Sequence, residues 1–211
     1  MVIGLGRFGT AVARTLIELG HEVLGIDDDP ARVAELRDVL THVVQADTSD
    51  PVALEQAGAR DFDRVVVAIG TDLEASVLTV AALVDLGIPE IWAKATTTAH
   101  GRILERVGAH HVVFPEADMG VRAAHVMDGS MLDFIALDPG FALAELRAPR
   151  AITGRSLGDL GVRARYGVTV VCIKPAGGAF TYATPDTVVE PDDLVVIAGV
   201  TSKVEEFAQL R

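Results

Sequence analysis

The chain has 211 residues and a mass of 22.2 kDa, which suits one domain of roughly 100 to 150 residues with a smaller companion. Half of the residues are apolar and 23% are charged, a composition that excludes a disordered chain. The 30 acidic residues outnumber the 18 basic ones and give a net charge of −12, so a nucleic-acid partner is excluded by repulsion. The longest apolar runs end after about ten residues, well short of the roughly 20 that cross a bilayer.

The start of the chain and its cysteine content predict a cytoplasmic protein. A glycine motif begins at Gly4, which leaves no room for the basic and apolar regions of a secretory signal. The lone Cys172 cannot form a disulfide within one chain. Because only three residues precede Gly4, two interpretations stay open: a closely trimmed first strand, or a few upstream residues that lie outside this sequence.

The first half of the chain alternates short β-branched runs with segments of helical periodicity. The pattern predicts strands over residues 1–5, 22–26, 42–45, 64–69, 91–94 and 111–114, and helices over 8–19, 30–40, 51–56, 72–86 and 99–107. Strands that are apolar on both faces and separated by crossover helices are typical of a parallel sheet. We therefore expect an α/β fold with a doubly wound, Rossmann-like sheet of six strands.

The second half has a different rhythm. A helix predicted over residues 117–127 ends at the turn sequence Asp128-Gly129-Ser130, and the net charge changes there from −10 over residues 1–130 to −2 over 131–211. We place the domain boundary after residue 130. The smaller lobe is predicted to be α+β, with strands over 132–137, 142–146, 167–173, 179–183 and 193–199, a short helix over 155–160, and a last helix capped by Ser202 and Glu205.

The first strand-to-helix turn carries the most informative motif. Gly4, Gly6 and Gly9 form a G-x-G-x-x-G pattern, in which the glycines permit a tight turn, a close phosphate and close helix packing. The second strand ends at Asp27, a carboxylate suited to ribose hydroxyls and repelled by a 2′-phosphate, which argues against NADP. The alternative is a tight turn with Asp27 in a helix cap. The four positions together favour a nucleotide site.

Three further residues fall at the carboxyl ends of strands, where this fold binds ligands. Asp47 could accept a hydrogen bond from an adenine amino group, Lys94 could meet a phosphate, and Glu116 follows the sixth strand. Alternatives stay open for two of them. Asp47 could instead cap a helix, and Lys94 could be a strand-end lysine that extends to solvent.

No catalytic constellation is evident, so we do not expect an enzyme. A dehydrogenase needs a positioned general acid or base in a second domain, and the smaller lobe offers no such group. The sequence lacks H-E-x-x-H, C-x-x-C, G-x-S-x-G and Walker motifs. A nicotinamide-dependent oxidoreductase is kept as the less favoured alternative.

Several motifs in the same order resemble the RCK (KTN) domains of TrkA/KtrA-type regulators of potassium uptake. The N-terminal RCK domain is matched by residues 4–9 (GLGRFG), 20–27 (GHEVLGID), 66–70 (VVAIG) and 115–120 (PEADMG). The C-terminal RCK domain is matched by 154–157 (GRSL), 166–170 (YGVTV), 185–193 (PDTVVEPDD) and 195–199 (VVIAG). The resemblance covers nearly the whole chain.

The resemblance implies a cytoplasmic gating subunit that is peripherally associated with a separate membrane potassium-translocating subunit. Homodimers would assemble into a ring, commonly of eight subunits, with residues 119–127 as a helix that crosses between protomers. ATP and ADP would compete for the Rossmann site, and some relatives bind NAD or NADH as redox sensors. Some relatives also bind cyclic di-AMP in the C-terminal lobe, for which no residue is assigned here.

Carried onto this sequence, the resemblance assigns a role to most of the motif residues. Arg7 would reach the terminal phosphate of ATP, Asp27 the ribose, Asp47 the adenine and Lys94 a phosphate. Glu116 would contact the nucleotide and a divalent cation, Mg²⁺ or Ca²⁺. The full predicted nucleotide site comprises Gly4, Gly6, Arg7, Phe8, Gly9, Asp27, Asp28, Asp47, Thr48, Ala68, Ile69, Gly70, Lys94 and Glu116.

Arg7 supports ATP and ADP over NAD on physical grounds as well. A guanidinium suits a γ-phosphate, a group that NAD lacks, and the dipole of the following helix disfavours a cation that has no anionic partner. The acidic run at Asp28 and Asp29 departs from the family pattern, and we expect it to alter nucleotide choice or to add a cation site.

Overall fold

A computed structural model describes residues 1–210. The chain divides into two compact units, the first over Met1–Ala117 and the second from Asp118 onwards. The sixth helix therefore lies mostly in the second unit, although it precedes the sequence-derived boundary. That boundary after residue 130 stays a prediction of where the two domains meet.

The first unit alternates strands and helices as predicted. In chain order these are β1 (Val2–Ile3), α1 (Arg7–Glu18), β2 (Leu24–Asp27), α2 (Pro30–Leu36), β3 (His42–Gln45), α3 (Pro51–Gln56), β4 (Arg64–Val67), α4 (Leu73–Asp85), β5 (Glu90–Lys94), α5 (Thr98–Val107) and β6 (His111–Val113). The strand order is β3-β2-β1-β4-β5-β6, and all pairs are parallel. The expected doubly wound α/β fold is confirmed.

Apolar side chains on both faces hold this sheet. Val2 and Ile3 are neighbours in β1, yet they pack into different hydrophobic clusters, since successive strand residues point to opposite faces. Asp29, Asp50 and Asp72 cap helices α2, α3 and α4 by accepting hydrogen bonds from backbone N–H groups of the first turn. The caps fix where each helix leaves the carboxyl edge of the sheet.

The second unit is an antiparallel sheet with helices, as the α+β prediction required. It contains most of α6 (Pro115–Met127), then β7 (Asp133–Asp138), β8 (Phe141–Arg147), α7 (Leu157–Leu160), α8 (Val162–Tyr166), β9 (Val168–Lys174), β10 (Thr181–Tyr182), β11 (Leu194–Val200) and α9 (Thr201–Ala208). The strand order is β10-β9-β11-β8-β7. A core around Leu146, Ile197 and Phe207 is fully buried.

One local prediction in this unit was wrong, and one short helix was missed. The chain passes directly from β11 into α9 at Thr201, so Val200 occupies the cap position and Ser202 lies inside the helix. The sequence also gave no sign of α8, which is only five residues long and lies between Gly161 and Gly167. Both glycines have positive φ, 58° and 73°, and the chain turns sharply at each.

No helix within residues 1–210 has the length and apolar character that a membrane crossing demands.

Candidate functional site: a cleft at the switch point of the sheet

The cleft forms where the winding of the first sheet reverses. Strands β1 and β4 are neighbours, and the chain continues from them toward opposite ends of the sheet. The glycine loop follows β1, and Ala68, Ile69 and Gly70 follow β4. In open α/β sheets, ligands bind at this kind of switch point, at the carboxyl ends of the strands.

The three glycines of the loop have different surroundings. Gly4 has φ of +87°, a conformation that side chains other than glycine rarely adopt. A Cβ on Gly9 would lie 1.9 Å from the carbonyl oxygen of Gly4, so only glycine lets α1 approach the loop. A Cβ on Gly6 would meet no protein atom within 4 Å. The fold itself therefore does not require glycine at position 6, and the space beside it is open to the close approach of a ligand.

Helix α1 begins at Arg7 with its N-terminus at this loop. Gly6 is the capping residue and has no side chain to satisfy the first backbone N–H groups. The N–H groups of Arg7 and Phe8, together with the helix dipole, suit an anion such as a phosphate. The residues present thus fit the polyphosphate of a nucleotide.

Asp27 is the anchor at the other side of the loop. It is buried at the end of β2, where its carboxylate accepts hydrogen bonds from the N–H groups of Leu5 and Asp29. Burial alone would raise the pKa of Asp27, but the hydrogen bonds from Asp29 and Leu5, together with the charge of Arg32, outweigh it and lower that pKa. A charged carboxylate is thus held beside the glycine loop, where a ribose would lie.

Arg32 is a residue that the sequence analysis missed. Its Nη1 lies 3.3 Å from Oδ2 of Asp27, and its Nε lies 3.6 Å from Oδ2 of Asp29. The available signal was its position in the helix directly after Asp27, one turn beyond the cap at Asp29, which places its side chain back over the carboxylates.

A second charged group lies at the opposite side of the cleft. The Lys94 ammonium donates to Oε1 of Glu116 at 2.6 Å, and it lies 5.8 Å from the centre of the Phe8 ring. The hydrogen bond from Lys94 lowers the pKa of Glu116, and the positive charge of Arg7 contributes in the same direction. Gly70 leaves room for this ammonium, since a Cβ there would lie 3.1 Å from Nζ.

Other predicted site residues have partners of their own. Asp47 accepts hydrogen bonds from the N–H and the hydroxyl of Ser49, and these lower its pKa. Thr48 is buried, with its hydroxyl 3.1 Å from that of Thr79 on α4. The side chain of Asp28 is exposed, and its carbonyl accepts from Gln45. A role for these three in adenine recognition stays a prediction.

The structure gives no preformed metal centre in one chain. Within the described part, residues 1–210, no group of three or more His, Cys, Asp and Glu side chains lies close enough together to hold a metal ion. Glu116, the predicted cation ligand, is paired with Lys94.

Comparison with known proteins gives the chain a family. Residues 1–115 match the TrkA-N domain and residues 142–210 match the TrkA-C domain. The Ktr system potassium uptake protein A of Bacillus subtilis is 38% identical over 98% of this chain and 93% of its own length.

Solved structures share the fold. The RCK domain of GsuK superposes with a TM-score of 0.67 at 20% identity, covering 99% of this chain and 46% of that one. The Kef C-terminal domain of Shewanella denitrificans in its AMP-bound form superposes with a TM-score of 0.52 at 26% identity, covering 61% of this chain and 80% of that one. The chain therefore belongs to the RCK, or KTN, family of regulatory proteins of Trk and Ktr potassium-uptake systems, with a TrkA-N domain followed by a TrkA-C domain.

Proposed function

We propose that this protein is a nucleotide-sensing gating subunit of a membrane potassium transporter, and that ATP and ADP compete for its cleft. The observation that carries the proposal is the pair of charged groups at the two sides of the glycine loop. Asp27, held charged beside the loop, would bind a ribose, and the first turn of α1 together with Lys94 would bind phosphates. The Kef C-terminal domain, which is similar in fold and was solved in an AMP-bound form, supports an adenine nucleotide as the ligand.

Charge at the phosphate side distinguishes nucleotides by tail length. Arg7 is exposed at the start of α1, and its charge reaches Glu116. A γ-phosphate would give Arg7 an anionic partner, whereas NAD, which has no such group, would leave it without one. ATP is therefore proposed ahead of NAD and NADH, the redox-sensing alternative, and ADP is proposed as the competitor that lacks the γ-phosphate.

A divalent cation has a place in this proposal at Glu116. One carboxylate is too few for a site, because Mg²⁺ and Ca²⁺ prefer six or more oxygen ligands. Phosphate oxygens of the nucleotide, or groups from a second protomer, would supply the others. Cation binding at Glu116 would also compete with the Lys94 ion pair.

Gating would follow from the different shapes that ATP and ADP stabilise in a dimer. A ligand shifts a conformational equilibrium only by its differential affinity for the two states. A contact through Arg7 that only ATP makes supplies that difference. Coupling of about 1 to 3 kcal/mol per site, acting over several sites of a ring, would switch a channel strongly. The ring would transmit this change to a separate membrane subunit.

Native mass spectrometry of the purified full chain, combined with calorimetric titration, tests this function. We expect a copurified adenine nucleotide, an even number of subunits, and binding of ATP and ADP to the same site by competition. Cyclic di-AMP is titrated in parallel as a ligand of the second unit. Failure of ATP, ADP and NAD to bind would reject the proposal. Steady turnover of NADH with a carbonyl substrate would support an oxidoreductase instead.

A further inference from the structure

His125, near the end of α6, lies between two hydrogen-bond acceptors. Its Nδ1 is 2.9 Å from the carbonyl oxygen of Val121, and its Nε2 is 3.0 Å from Oε1 of Glu205 on α9. A neutral imidazole carries one N–H group and can donate to only one of the two. Only the imidazolium, with two N–H groups, satisfies both contacts.

Packing fixes the ring in this orientation. The imidazole stacks on the ring of Phe134 in β7, with the centroids 3.8 Å apart and an angle of 3° between the planes. Phe134 is itself buried in the core of the second unit. A rotation of the His125 ring out of this plane would lose the stacking contact.

Protons can reach the ring from solvent. An open groove of about 310 Å³ adjoins it, lined by Ala124, His125, Asp128, Ser130, Met131, Glu205 and Gln209. His125 is half-buried beside this groove, so its charge can change without unfolding of the unit.

The charged groups around His125 are mostly acidic. Glu205 faces it from α9, and Asp128 lies one turn away at the end of α6. The basic neighbour Arg122 on α6 is engaged by Asp133 of β7 through two hydrogen bonds of 2.6 and 2.7 Å. On α9 the remaining pair, Lys203 with Glu206 at 2.6 Å, is neutral as a pair.

We infer that His125 and Glu205 form a proton-dependent link that fastens the end of α6 to α9. The link is closed when the ring is an imidazolium and is weakened when the ring loses its proton. This inference does not rest on the proposed nucleotide function. It makes the contact between α6 and α9 in the second unit sensitive to pH.

The sign of the pH dependence follows from the surroundings. The hydrogen bond to the Val121 carbonyl and then that to Glu205 raise the pKa of His125 above its ordinary 6.5. A raised pKa in the folded state means that the contribution to stability is full below 6.5 and is lost as pH rises through the folded-state value. Acid therefore tightens the link, and mild alkali releases it.

Titration of the imidazole signals by NMR in the full chain tests the link. We expect His125 to titrate above 6.5 and to shift downward in Glu205→Gln, which keeps the shape of the side chain and removes its charge. His21 is exposed in the first unit, so His21→Gln serves as the matched control and should leave the His125 titration unchanged.

Hydrogen exchange gives a readout of the fastening itself. Protection of the α9 amides, expressed relative to an unstructured chain at the same pH, should fall between about pH 5.5 and about pH 8 in the wild type, the range in which histidines titrate. This fall should disappear in both His125→Gln and Glu205→Gln. A His125 titration at or below 6.5, or an unchanged pH dependence in Glu205→Gln, would overturn the inference.

Discussion

Gly9 and Gly6 differ in whether the protein's own packing requires a glycine. Gly9 is required by the protein, since any Cβ there would collide with the carbonyl of Gly4. A Cβ on Gly6 would meet no protein atom within 4 Å, and the φ of −68° at this position suits any residue. The fold therefore does not require glycine there. The motif therefore contains one position that packing requires, and one that we propose serves the ligand.

Alanine substitutions at these two positions should affect different properties, stability at Gly9 and nucleotide binding at Gly6. Gly9→Ala is expected to destabilise the first unit by about 1–3 kcal/mol, because a Cβ forces backbone atoms apart. Gly6→Ala should change the free energy of unfolding by less than about 1 kcal/mol. It should nevertheless weaken the binding of ATP and ADP about tenfold or more, because the added methyl group obstructs the approach of phosphate. Chemical denaturation and calorimetry measure the two effects. Equal binding by wild type and Gly6→Ala would remove this position from the site.

Elements explain which parts of the fold the sequence could predict. The strand–helix alternation and a first helix directly after the glycine loop follow from periodicity, and both are present. The cap of α2 at Asp29 was not predicted. The Asp27–Arg32 contact and the Lys94–Glu116 pair depend on how separate elements meet. The first was missed, and the second was predicted only as two separate residues at strand ends.

Helix α6 shows how a boundary error affects a site. The predicted start at residue 117 would leave Glu116 in a loop, whereas α6 begins at Pro115 and holds Glu116 in its first turn. Proline at a first helical position is common, because its missing N–H is not needed there. The Lys94 ion pair thus ties the start of α6 to β5 within the first unit.

The Asp27 side chain links two loops, and this link should depend on pH. Asp27→Asn is expected to cost about 1.5–3 kcal/mol near neutral pH, since hydrogen bonds to a charged group are lost. Because the folded-state pKa of Asp27 is lowered from 3.8, its contribution is present above 3.8 and is lost as pH falls through the folded value. Denaturant unfolding at a series of acidic pH values should show the two proteins converging. A constant gap down to the lowest pH would contradict this assignment.

For the whole molecule, the exposed apolar residues of α6 bear on the proposed assembly. Met119 is 56% exposed and Met127 is 85% exposed, on a helix with no buried residue in one chain. Such surface suits a contact with a second copy, as the crossover helix of the proposed dimer requires.

Charged residues on this helix should separate the protomers. Met119→Glu with Met127→Glu is expected to shift the protein toward monomer in sedimentation velocity, with an unchanged circular dichroism spectrum. Leu19→Glu, at an exposed apolar position after α1, serves as the control and should keep the wild-type assembly. An unchanged oligomer in the double variant would place the dimer contact elsewhere.

We propose that the cleft distinguishes ATP from ADP through Arg7, and calorimetric titration of Arg7→Ala with both nucleotides measures this difference. Loss of a charge-assisted contact of about 1.5–3 kcal/mol should weaken ATP binding about tenfold or more and change ADP binding much less. Arg14→Ala, an exposed position on the same helix, should bind both nucleotides as the wild type does. An equal loss of affinity for ATP and ADP in Arg7→Ala, or no loss for either, would show that Arg7 does not distinguish the two nucleotides.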